Sequence, residues 1–196
     1  MLSALHTAIS PKRALAAQSA APSAAEERKR SPQVGDGFTY FSKSRRGAPL
    51  RVEDLERGGK QLLVVPVARE TGVVRDGSRF NQILLQRFDI AELDAATAAI
   101  SAAGVVAYSA ICTHTGCPVS AWDRDSQTYM CPCHQSQFNP KNLGAVTHGP
   151  APRQLPALPL KIEDGTILVA GNFTSRVGFG NQRNRRRSTG FGIPGR

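Results

Sequence analysis

The chain has 196 residues, enough for one domain with an extension and for a core that needs no staples. Its net charge of +10 suggests nucleic acid until the charge is located. Residues 1–34 hold five Lys/Arg against two acids, 176–196 hold six Arg and no acid, and 35–175 hold fourteen Lys/Arg against thirteen acids, so the expected domain is near neutral and is not expected to bind nucleic acid.

In chain order, residues 1–34 are rich in Ala, Ser and Pro, then charged, and read as disordered. The segment carries A-x-A-like sites and the basic pair Lys12–Arg13, but Gln18, Ser19, Pro22 and Ser23 interrupt any apolar signal core. Two readings compete: the remnant of an export signal or anchor that begins upstream of Met1, or a disordered leader. No run of eighteen apolar residues occurs, so no transmembrane helix is expected. A domain is expected over 35–175, with strands at Phe38–Ser42, Gln61–Ala68 and Asn81–Phe88 and a short element at Arg51–Leu55. Pro66 marks an edge or a bulge in the second of these strands. Thr71–Phe80 is turn-rich.

Ile90–Ala102 shows helical spacing through Ile90, Leu93, Thr97 and Ile100, with Asp89 as N-cap and Gly104 as stop. Val105–Ile111 predicts a strand that ends at Cys112. Val119–Trp122 and Thr128–Cys131 alternate around a D-R-D-S turn and predict a hairpin. Asn139–Gly144 is a turn and Gly149–Pro156 a proline-rich loop. Leu158–Glu163 and Thr166–Asn172, joined by Asp164–Gly165, form a last hairpin. Such a run of short strands with one helix fits an all-β fold, an antiparallel sandwich or barrel with a small subdomain. The tail 176–196 has no apolar period and reads as flexible: a solvated basic tail, or a docking arm for an acidic partner or an anionic membrane.

All four cysteines lie between 112 and 133, in C-T-H-T-G-C (112–117) and C-P-C-H-Q-S (131–136). Each loop offers a thiolate and an imidazole, as C-x-H and as C-x-x-H, with sixteen residues between. Two such loops can hold a two-iron cluster asymmetrically, with Cys112 and Cys131 on one iron and His114 and His134 on the other. A structural zinc site is the plain alternative. Zinc knuckles, however, pair Cys with Cys and His with His, and zinc gives no reason for Ser136 or for the spare cysteines.

The paired pattern resembles the Rieske [2Fe–2S] proteins of the cytochrome bc and bf complexes and of arsenite oxidase. The proline loop G-P-A-P at Gly149–Pro152 stands where the bc-type members place theirs. The resemblance covers roughly 100–175 and implies a Rieske-type sandwich or barrel with a small cluster-binding subdomain, its ligand loops within 112–138. It implies one [2Fe–2S] cluster per chain, ligated by Cys112, His114, Cys131 and His134. The two histidines are expected to couple an electron to a proton, at a potential of roughly −150 to +300 mV. Cys117 and Cys133 are expected to form a disulfide if the loops face each other. A disulfide implies an oxidising compartment, which favours the export-signal or anchor reading and a place on the periplasmic side of a membrane, held directly or through partners.

Ser136 matches the family serine that donates to a cluster sulfide. Phe138 stands where high-potential members have a donor Tyr, so a lower potential is expected. Thr115 and Gln135 stand where quinol-oxidising members usually have Leu and Gly. Arsenite oxidase small subunits share the Phe and C-P-V, here Cys117–Val119. Tyr108, Trp122 and Tyr129 read as packing residues, His148 as a loop histidine, and His6 as without a partner.

The resulting expectation is an electron-transfer subunit rather than a stand-alone enzyme. Its default role is in a quinol–cytochrome c reductase, with cytochrome b and cytochrome c type partners and quinol as candidate substrate. The alternatives are the small subunit of an exported molybdenum oxidase, partnered by a molybdopterin subunit, and a non-redox zinc module.

Overall fold

The computed structural model describes residues 22–180. Four antiparallel strands run in sequence order as one sheet: β1 (Gly37–Tyr40), β2 (Leu62–Val67), β3 (Ile83–Arg87) and β4 (Val105–Ser109). A second four-stranded meander follows: β5 (Ala121–Asp123), β6 (Thr128–Met130), β7 (Gln137–Asn139) and β8 (Ala145–His148). The hairpin β9 (Leu160–Glu163) and β10 (Thr166–Val169) turns through Asp164 and Gly165, with φ of +49° and +78°, the double positive φ of a type I′ turn.

That hairpin closes the first sheet into a barrel. On one side Val169 N–H donates to Asp36 O (2.9 Å) and Ile167 N–H to Leu50 O (3.1 Å); on the other Leu158 N–H donates to Ala107 O (2.9 Å). Alternate residues fill the barrel, among them Phe38, Val64, Ile83, Leu85, Val105, Ala107, Ile167 and Val169. Pro66 lies past the end of the β3 pairing, which stops at Val64, so its missing N–H costs no bond on that side.

β4 is buried on both faces. Val105 and Ala107 point into the barrel, while Val106 and Tyr108 join a second core with Leu84, Phe88, Tyr129, Phe138, Leu155, Cys112 and Cys131. This explains its unbroken apolar reading, and it makes β4 the wall between the barrel and the subdomain built from β5–β8.

Two expectations are corrected. The disordered reading of 1–34 fails for the described part, residues 22–34. Helix α1 (Ala24–Lys29) starts in a capping box between Ser23 and Glu26, and Arg75 holds it down. Only 3% exposed, Arg75 pairs with Glu27 (2.6 Å) and takes Asp36 in a two-pronged grip (2.6 and 3.0 Å). Residues 1–21, with His6, lie outside the described residues.

The single helix of 90–102 is instead a 3₁₀ turn at Ile90–Glu92 and a helix α2 at Ala95–Ile100. Asp94 caps α2 through Thr97 N–H (2.6 Å) and so restarts the chain there. The described residues thus carry two short α-helices, and none is long and apolar enough to cross a membrane.

Candidate metal centre

Both ligand loops are six-residue excursions closed by the same two hydrogen bonds. In the first, Cys112 N–H donates to Cys117 O (2.8 Å) and Gly116 N–H to Cys112 O (3.0 Å). In the second, Cys131 N–H donates to Ser136 O and Gln135 N–H to Cys131 O, both at 2.9 Å. The fifth residue of each loop takes positive φ, +84° at Gly116 and +57° at Gln135. The first loop hangs from the run after β4, and β6 and β7 carry the second.

The loops meet tip to tip. The rings of His114 and His134 stand edge to face, 4.8 Å between centroids. Cys117 and Cys133 are disulfide-bonded across the loops, with Cα atoms 6.6 Å apart. Cys112 and Cys131 remain free and buried beneath, each 1% exposed.

The donor set fits a two-iron cluster. Nδ1 of His114 is buried without a hydrogen-bond partner, a costly state unless a metal takes its lone pair. Burial pushes the Cys112 thiol up to about 11 and the neighbouring Cys131 adds to this, while hydrogen bonds from the His114 amide and the Ser136 hydroxyl oppose it. Two adjacent buried thiolates need a cation to stay ionised. Zinc fits less well: among the described residues the sulfurs of Cys117, Cys131 and Cys133 lie within 4.8 Å of one another, and two of those three are spent in the disulfide.

The proline loop stitches the two loops together. Ala151 N–H donates to Ser136 Oγ (3.1 Å), which leaves the Ser136 proton free to face Cys112. Thr113 Oγ1 donates to Arg153 O (2.6 Å). Gly149, at φ +84°, lies so close that a Cβ there would stand 2.6 Å from Ser136 Cα. Thr113 and Ala151 escaped the sequence reading; the buried polar Thr inside C-T-H was the available sign.

Phe138 is fully buried and offers no donor. Thr115 is exposed, its hydroxyl 3.8 Å from Cys117 Sγ. His148 ends β8, exposed and opposite Gln137 in the strand register. Trp122 and Tyr129 pack across β5 and β6 with their rings tilted (5.6 Å, 58°), Tyr108 meets Tyr129 edge on (6.0 Å), and the Tyr108 hydroxyl donates to Pro140 O (2.7 Å).

The tail does not leave the domain at 176. Residues 174–180 lie along the proline loop and the first ligand loop: Thr174 N–H donates to Ala157 O, Arg153 to Gly178 O, and the Phe179 ring sits against Gly116. Residues 181–196 lie outside the described residues.

Residues 50–159 match the Rieske [2Fe-2S] domain family. The cytochrome bc1 complex Rieske iron-sulfur subunit of Corynebacterium diphtheriae is 49% identical over 73 residues, 37% of this chain and 18% of that protein. A Haloferax mediterranei protein named as the Rieske subunit of a respiratory nitrate reductase is 38% identical over 99 residues, 50% of this chain and 44% of that one. Among solved structures, the soluble domain of Rieske protein II from Sulfolobus acidocaldarius is 30% identical, with a TM-score of 0.36, over 41% of this chain and 45% of that chain. The chain thus spans about a fifth of the length of the Corynebacterium relative.

Proposed function

The chain belongs to the Rieske [2Fe–2S] domain family, an iron–sulfur electron carrier, and on that premise we propose that it is the iron–sulfur subunit of a quinol–cytochrome c reductase-like complex. Cys112, Cys131, His114 and His134 would hold the cluster, which when bound supplies a one-electron couple. The observation that carries the reading is the pair of histidines presented together at the tip, above buried thiols and locked by the Cys117–Cys133 disulfide.

With Nδ1 of His114 turned inward, its Nε2 is the atom left to exchange a proton with a bound hydroquinone. The disulfide and the proline loop hold both rings at a fixed separation, so a proton can move without the loops rearranging. Ser136 stabilises added negative charge near Cys112. Relatives named as bc1 subunits support cytochrome b and cytochrome c type partners, and the disulfide supports the periplasmic side of a membrane.

A second reading, the small subunit of an exported molybdenum enzyme, is favoured by exposed Thr115, by Phe138 and by the relative named for a nitrate reductase. Affinity purification of the full chain from its native membranes separates the two. Haem b co-purifying with the chain supports the reductase. Molybdenum without haem b overturns it in favour of the second reading.

A further inference from the structure

Five segments surround the ligand tip: 77–82, 109–120, 131–139, 149–159 and 170–180. None contains an Asp or a Glu, yet they contribute Arg79, Arg153 and Arg176. The rest of the domain pairs many of its cations: Arg28 and Arg46 with Asp76, Arg69 with Glu163, Arg75 with Glu27 and Asp36, Lys141 with Glu92. Among the described residues, none of the three tip arginines has an acidic partner.

The three are linked through the 174–180 segment, whose Phe179 packs on Gly116. Arg79 donates to Gly116 O and lies over the Phe80 ring, 5.5 Å from its centroid. Arg153 donates to Gly178 O, and its pKa is lowered by burial first and then by the nearby Arg176 charge. Phe80 and Phe179 are 42% and 52% exposed between these charges, and the Phe179 ring touches the backbone of the first ligand loop. Unpaired like charges held together are a strain on the free protein that an acidic surface would relieve, and exposed aromatics beside Arg are the usual anchors of an interface.

We propose that this acid-free tip is a docking surface for the acidic face of a redox partner protein, which seats on Arg79, Arg153, Arg176, Phe80 and Phe179 and so comes to rest against the loop that bears His114. The proposal rests on the electron-relay reading. The transfer is a single electron from the reduced cluster to an oxidised haem on the partner, with no bond made or broken in the chain.

The test uses the full-length, cluster-loaded protein, reduced and then mixed with an acidic and, separately, a basic c-type cytochrome. Cluster absorption is read first. If it is absent after reconstitution, the relay reading falls and this proposal with it. With the cluster present, oxidation by the acidic cytochrome should slow by about tenfold or more between about 20 and about 300 mM salt. Arg176→Gln, a residue that makes no hydrogen bond to the ligand loops, should lower the low-salt rate severalfold and flatten that dependence, while oxidation by the basic cytochrome is not slowed. Arg79→Gln/Arg176→Gln should lower it further. A salt-independent rate, or an equal loss with both cytochromes, overturns the proposal. So does an unchanged cytochrome rate alongside lost binding to phosphatidylglycerol vesicles, which would make an anionic bilayer the occupant.

Discussion

Phe138 pairs with Tyr129 across β6 and β7, and both rings lie fully buried in the core that also holds Cys112 and Cys131. The Tyr129 hydroxyl already lies there without a partner. Phe138→Tyr adds a further phenol, at the position from which related high-potential members donate to a cysteine sulfur. A charge-assisted hydrogen bond is worth about 1.5–3 kcal/mol. If a third to a half of that favours the reduced state, the potential rises by several tens of millivolts, at about 60 mV per 1.4 kcal/mol for one electron. Ser136→Ala should shift it downward by a similar amount, and should also cost stability, because it leaves the buried Ala151 N–H without its acceptor. Voltammetry of both variants at one pH measures this; an unchanged or lowered Phe138→Tyr potential with the cluster intact overturns it.

The ligand set predicts two irons and two acid-labile sulfides per chain. His114→Ala and His134→Ala should each abolish the visible spectrum, because each removes one of the two imidazoles paired at the tip. Metal and sulfide analysis decides: one zinc and no sulfide would sink the cluster.

Alkylation without reductant, followed by intact mass, should leave Cys117 and Cys133 unlabelled. The bond spans 16 residues. Closing a loop of that size restrains the unfolded chain by about 3 kcal/mol, so Cys117→Ser/Cys133→Ser should lose roughly that in urea unfolding.

Arg75 sets an acid limit on the N-terminal segment. Its hydrogen bond holds the Glu27 carboxyl below the ordinary 4.5. A lowered folded value means that the stabilisation is present above about pH 4.5 and is lost as pH falls through the lower value. Wild type should therefore lose more stability between about pH 5 and about pH 3 than Glu27→Gln does. Arg75→Ala strands Asp36 in the interior and should cost about 3 kcal/mol at neutral pH. Thermal melts across pH check both.

Gln135 occupies a backbone position that its counterpart Gly116 fills without a side chain. The left-handed conformation costs an L-residue about 1–2 kcal/mol, part of which glycine returns as unfolded-chain entropy. Gln135→Gly should stabilise the protein by about 0.5–1 kcal/mol in urea titration; a loss would mean that the Gln side chain supports the loop.

The ligand loops were legible because their chemistry is local: four cysteines and two histidines within 112–134 leave few arrangements. β4 was legible because a strand buried on both faces reads as continuous apolar sequence. β7 and β8 were not: three and four residues long, rich in Gln, Asn and Thr, they are strands by virtue of pairing with β6 and with each other. Helix α1 has a local sign in Ser23 followed by Glu26, the capping-box pattern, set within charged sequence of the kind that reads as disordered. Arg75 sat in a turn-rich stretch, where nothing local marks a buried cation; only the fold brings Asp36 and Glu27 to it.

The double burial of β4 makes the two lobes share one fate. A subdomain that borrows its floor from the barrel cannot melt alone, because letting go exposes Val106 and Tyr108 on the barrel's own strand. A cluster held by Cys112, His114, Cys131 and His134 would therefore brace the barrel strands as well as the ligand loops. Damage at Val105 or Ala107, on the far side of that floor, would travel the other way and loosen the footing of Cys112.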